Sequence, residues 1–136
     1  MNPILKKMQY KEFKKVAVLN PPEEFQETLN ELKKVTNVHE KPDPISKYEF
    51  VLIFVKSDED LDKQANFIRD GLVEDGMLWF AYPKKSSKKY KVNIHRDKGW
   101  QAIQELGFEG VRQVAIDDDW SALRFRHVNF ISSKRK

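Results

Sequence analysis

The chain has 136 residues, of which 40% are hydrophobic and 34% charged, with no cysteine. That is one ordinary domain with a core of its own. It excludes structural disulfides, iron–sulfur clusters and cysteine-held zinc. The net charge of +4 is uneven: five lysines lie between 84 and 91 and three basic residues end the chain, and without those eight charges the +4 becomes −4. A mildly acidic body with local basic segments does not resemble the broad basic face of a nucleic-acid binder.

The first 11 residues form a basic segment in which Ile4, Leu5 and Met8 share one side of a helical turn. Val16–Leu19 reads as a short buried strand. Asn20-Pro21-Pro22-Glu23 reads as a helix start, with Asn20 as cap, Pro21 at the first helical position and Glu23 at the third. Phe25, Leu29 and Leu32 follow as one apolar stripe. Residues 35–38 are a candidate second strand, and Lys41-Pro42-Asp43-Pro44 is loop.

Phe50–Val55 is uniformly apolar, as expected of a strand covered on both faces of a parallel sheet. Ser57 with Asp60 forms a capping box that opens a helix carrying Leu61, Ala65, Ile68 and Leu72. Gly76–Tyr82 is the next buried strand, and a lysine-rich loop follows Pro83. A helix over 96–106 carries Trp100, Ile103 and Leu106 and stops at Gly107. Residues 111–117 and 121–128 alternate as two strands around a tight Asp117-Asp118-Asp119-Trp120 turn. Residues 129–136 form a basic tail.

Strands alternating with helices predict an α/β fold in a single domain, 1–136. It has a mostly parallel six-stranded sheet with helices on both faces. The expected strand order is second, first, third, fourth, sixth, fifth, with only the last strand antiparallel. A closing hairpin on such a sheet resembles a truncated class I methyltransferase, a Rossmann-like architecture.

Three segments carry a second resemblance: Val16–Pro22, Leu78–Ser87 and Asp117–Phe125, with Pro83-Lys84-Lys85-Ser86-Ser87 and Asp119-Trp120-Ser121 the most specific. Over about residues 12–128 the chain resembles a small bacterial family of unknown function. The resemblance implies a bacterial source and a minimal methyltransferase-like fold, without implying methyl transfer.

S-adenosylmethionine enzymes of this architecture need a glycine turn after the first strand. Here Asn20-Pro21-Pro22 stands there, and no glycine precedes Gly71. No cofactor and no catalytic residue are therefore expected. Glu40, the candidate ribose-binding acid, reads more simply as a solvated loop residue. The 83–87 loop leaves the C-terminal end of a central strand, where open α/β sheets bind ligands, so Lys84, Lys85, Ser86 and Ser87 form a candidate anion site. Connectivity adds Asn20, Lys56, Ser57, Asp117, Trp120 and Ser121 to the same edge. His39, His95 and His127 are scattered without metal spacing, and no metal is expected.

The sheet face over the last strands lacks a helix to cover it, so Arg124, Arg126 and Trp79 are expected to form a surface for a weak homodimer or a protein partner. No apolar run is long enough for a membrane span, and a cytoplasmic location is expected. The function expected from the sequence is a non-enzymatic Rossmann-like binding or regulatory module, more binder than enzyme, with a small anionic ligand. The alternatives are a degenerate S-adenosylmethionine-dependent methyltransferase-like enzyme and a nucleic-acid accessory protein.

Overall fold

In the computed structural model the strands are β1 (Val16–Leu19), β2 (Val38–His39), β3 (Tyr48–Phe54), β4 (Leu72–Pro83), β5 (Phe108–Ala115) and β6 (Trp120–His127). They form one sheet in the order β2-β1-β3-β4-β6-β5, with β1 to β4 parallel and β6 antiparallel to both of its neighbours. The described residues are 2–43, 45–90 and 99–131. The helices are α1 (Pro3–Lys7), α2 (Gln26–Val35), α3 (Asp58–Gly71) and α4 (Gln101–Gln104). The sheet order and strand directions are those the sequence predicts.

Uniform apolarity explains the centre of the sheet. Val16–Leu19 is wholly buried, as is Phe50–Phe54, because successive side chains point to opposite faces and both faces are covered. One face carries Val16, Val18, Phe50, Leu52, Phe54, Trp79 and Ala81 against Phe25, Leu29 and Leu32 of the α2 segment and Leu5, Met8 and Tyr10 of the N-terminal segment. The other carries Ala17, Leu19, Val51, Ile53, Leu78 and Phe80 against Leu61 and Ile68 of α3 and Ile103 of α4. α3 starts where its capping residues dictate: the Ser57 hydroxyl accepts the Asp60 amide at 3.2 Å, and the Asp60 carboxylate accepts the Lys56 amide at 2.9 Å.

Several boundaries differ from expectation. Asn20 is not a helix cap. It turns the chain in the left-handed region (φ 57°), and a 3-10 turn at Glu23–Phe25 precedes α2. The cause is Pro22, whose ring disfavours helical geometry at Pro21 and so pushes the helix start downstream. β2 falls at 38–39 instead of 35–38, because Val35 ends α2 and is 70% exposed. β4 starts directly from α3 at Leu72, with no loop between them. α4 is confined to 101–104, while residues 96–98 of the expected helix lie outside the described residues. β5 and β6 begin three residues and one residue earlier than expected.

The face over β6 is also less open than expected. The N-terminal segment crosses to it, bringing fully buried Met8, a Gln9 side-chain oxygen Oε1 that accepts from Arg124 Nη1 at 3.3 Å, and a Lys7 ammonium that donates to the Ala115 main-chain carbonyl at 3.5 Å. No helix among the described residues is long and apolar enough to cross a membrane.

The expected stop at Gly107 has a clear physical basis. Its φ is 93°, and an added Cβ would lie 2.6 Å from His127 Nε2. Gly107→Ala should therefore destabilise the fold by about 1–3 kcal/mol, read as a lowered urea midpoint. An unchanged midpoint would mean that neither the backbone conformation nor the histidine constrains this turn.

Candidate functional site

From β1 the chain crosses by α2 to β2 on one side, then returns to β3 on the other. The two connections leave the C-terminal ends of β1 and β3 in opposite directions and open a crevice between them. Open α/β sheets bind ligands at such a switch point. The crevice here is a cleft of about 440 Å³ lined by Asn20, Pro21 and Pro22 after β1, Phe54 and Lys56 at the end of β3, Asp60, Lys63 and Gln64 of α3, and Trp120 at the start of β6. That volume lies within the range of about 300–1,000 Å³ usual for ligand pockets.

Local sequence places each of these groups. Asp60, Lys63 and Gln64 are spaced by three and four residues and so share one face of α3, turned to the crevice. Phe54 and Trp120 are nearly fully buried and form an apolar floor, with their ring centroids 5.1 Å apart. Asn20 takes the left-handed conformation that its short polar side chain tolerates. It therefore supplies the sharp exit from β1 that glycine supplies in ordinary sites of this type.

Behind the floor lies a carboxylate that the sequence reading missed. Glu24 accepts Lys89 Nζ at 2.6 Å, Trp120 Nε1 at 2.9 Å and the Tyr90 hydroxyl at 2.9 Å. Burial works to raise its pKa, but the hydrogen bonds from Lys89, Trp120 and Tyr90 outweigh that and hold it at about 2. Tyr90 also stacks edgewise on Trp120 at 5.0 Å and receives the Lys56 ammonium over its ring at 5.0 Å. One carboxylate thus ties the lysine loop, the β6 hairpin and the start of α2 together. No motif announces it, since Glu24 meets partners 65 and more residues away.

The residues expected at this edge separate into two groups. Asn20, Lys56 and Trp120 line the cleft. The others support it or lie beside it. Ser57 caps α3. Ser87, 2% exposed, donates to Asp119 at 2.7 Å and accepts the amides of Lys89 and Tyr90, so it shapes the loop instead of facing a ligand. The Lys84 amide donates to the Asp119 carbonyl at 2.7 Å. Asp117 accepts the amides of Asp119 and Trp120 within the hairpin turn, both at 2.8 Å. Ser121 is buried opposite Tyr82 and Ala115. Lys85 and Ser86 are exposed.

Glu40 bonds Lys33 at 2.7 Å, and His39 Nδ1 meets the Tyr48 hydroxyl at 2.5 Å. Neither Glu40 nor His39 is among the cleft-lining residues. His95 lies outside the described residues. Among the described residues, no group of three His, Cys, Asp or Glu side chains could hold a metal ion.

No protein-family model matches the chain, and no curated protein matches it in sequence. Solved structures do match in fold. The N-methyltransferase NodS from Bradyrhizobium japonicum WM9 superposes with a TM-score of 0.59 over 91% of this chain and 92% of its own, at 9% identity. A ribosomal protein L11 methylase from Lactobacillus delbrueckii subsp. bulgaricus gives 0.54 over 91% and 76%, at 13% identity. A SAM-dependent methyltransferase from Aquifex aeolicus gives 0.52 over 82% and 68%, at 16% identity. Such identities establish a methyltransferase-like fold. They also correct the expectation of a chain that is more binder than enzyme, because these neighbours are enzymes.

The Glu24 cluster predicts a pH dependence. Its pKa falls from the ordinary 4.5 to about 2 on folding, so its contribution to stability is complete above about 4.5 and disappears as pH falls towards 2. Glu24→Ala should cost about 1–3 kcal/mol at neutral pH by leaving the buried Trp120 indole N–H without an acceptor. Acid unfolding of wild type and variant, followed by tryptophan fluorescence, should converge near pH 2. Parallel curves would show that Glu24 is not the titrating group.

Proposed function

We propose that this protein is an enzyme of the methyltransferase type, with its reaction centre in the β1/β3 crevice. The observation that carries the reading is the cleft itself. It lies at the switch point of a methyltransferase-like sheet, with an apolar floor, a polar rim and ligand-sized volume.

S-adenosylmethionine, the cofactor this fold implies, has a zwitterionic amino-acid end, a sulfonium and a flat adenine. The structure offers a test of fit in the turn after β1. The left-handed Asn20 keeps the path of a glycine turn, while Pro21 and Pro22 remove two amide donors. Side chains replace them. The Asn20 and Gln64 carboxamides and the Lys56 ammonium can meet a carboxylate, and Asp60 can meet an amino group. Phe54, Trp120 and the two prolines offer apolar surface. The residues present fit a cofactor gripped by side chains in place of backbone amides. When bound, the cofactor supplies an electrophilic methyl group.

The chain's own part follows from the same residues. The Phe54–Trp120 floor excludes water from the bottom of the cleft. Asn20 and Gln64 orient the ligand from opposite walls. Asp60 is the carboxylate on the lining and holds the ligand's amino group, with its own position fixed by the Lys56 amide. Lys63 stands one helical turn away and contributes positive charge to the rim.

Titration calorimetry with S-adenosylhomocysteine tests the reading. The expected result is saturable binding with one site per chain. It should weaken by about tenfold in Asn20→Gly, which keeps the turn and removes the carboxamide, and in Gln64→Ala. Lys85→Ala should leave it unchanged. No heat of binding, together with no ligand-dependent rise in melting temperature, would overturn the proposal.

A further inference from the structure

We propose that a row of arginines on β5 and β6 is a docking surface for an extended acidic segment of another protein. The row follows from strand register. Trp79 of β4 and Arg112 of β5 both pair with Arg124 of β6, so the three side chains stand side by side on one face. Arg126, two residues along β6, shares that face. Like charges placed opposite each other across a sheet are unfavourable, which makes the Arg112–Arg124 pair an arrangement that needs an anion.

Hydrogen bonding points the same way. Arg126 is neutralised by Asp75 through two bonds of 2.8 and 2.7 Å. Arg124 has no such carboxylate. Its Nη1 donates to the neutral Gln9 side-chain oxygen Oε1 at 3.3 Å, and its buried Nε has no partner among the described residues. Burial and the neighbouring Arg126 and Arg112 disfavour its charge, opposed only by Asp75. Lys7 of the N-terminal segment adds a cation where it reaches β5. Among the described residues, the charges on this patch are Lys7, Arg112, Arg124 and Arg126 against Asp75 and Glu109, the latter opposite Arg126 in register.

The occupant follows from shape and charge. Among the described residues β5 ends the sheet and no strand pairs with its outer edge, and Val111 at its bulge is 42% exposed. An extended peptide can add to such an edge through main-chain hydrogen bonds while its carboxylates meet the arginines. A second copy of this chain fits poorly, because a two-fold contact would bring the arginine row against itself. Nucleic acid fits poorly too, since Asp75 and Glu109 interrupt the basic surface.

Fluorescence anisotropy with a labelled peptide alternating Glu and Thr tests this. Wild type should bind it saturably at low salt. Arg112→Glu, at an exposed site, should weaken binding by roughly tenfold or more without changing the melting temperature. Arg124→Lys should weaken binding while preserving the fold. Three results would overturn the proposal: no peptide binding at low salt, equal binding by Arg112→Glu, or tighter binding of a single-stranded oligonucleotide that is lost in the same variant. Sedimentation showing a wild-type dimer that Arg112→Glu dissociates would also overturn it, in favour of self-association.

Discussion

The structure depends on one constraint: the central parallel strands must be covered on both faces. Val16–Leu19 and Phe50–Phe54 present apolar side chains in both directions, so a helix on one face alone would leave half of them in water. The chain meets this by sending α2 to one face and α3 to the other. Because those crossovers leave β1 and β3 in opposite directions, the same requirement that builds the core also opens the crevice at its upper edge. The site is a consequence of the packing, with its polar groups added on the first turns of the two exits.

A second level of organisation rests on Glu24. The crevice has an aromatic floor only if Trp120 is held against Phe54, and Trp120 belongs to a hairpin far along the chain. Glu24 accepts its indole N–H and, through Lys89 and Tyr90, fastens the lysine loop to the same point. Ser87 and Asp119 complete the join between loop and hairpin. The conspicuous lysine loop is thus largely an architectural part. Ser87 is buried and Lys89 bonds Glu24, and the exposed Lys85 and Ser86 lie off the cleft.

The fold was legible because its strongest signals are one-dimensional. Runs of apolar residues, the Ser57 cap, the Gly107 stop and the short hairpin turn each act within a few residues. What failed locally did so for identifiable reasons: Pro22 displaced the helix start, and the short β2 has too little apolar sequence to set its boundary. The site was legible only in part. Asn20, Lys56 and Trp120 could be placed from connectivity, since they end or begin strands at one edge. Asp60, Lys63 and Gln64 could not, although their spacing was visible, because nothing in the sequence states which face of α3 turns to the crevice. Glu24 was invisible because its partners are brought to it by tertiary contact alone.

Two surfaces with different chemistry emerge: a crevice with an apolar floor at the C-terminal edge of the parallel strands, and a basic row at the antiparallel end of the sheet. The central claim is that the crevice is where a methyltransferase-type ligand binds. Amide and indole NMR shifts on adding S-adenosylhomocysteine test it most directly. The account predicts saturable shifts at Asn20, Lys56, Gln64 and the Trp120 indole. Shifts confined instead to the apolar cavity of Leu72, Leu106 and Phe108 at the opposite edge of the sheet, or no shifts at all, would contradict it.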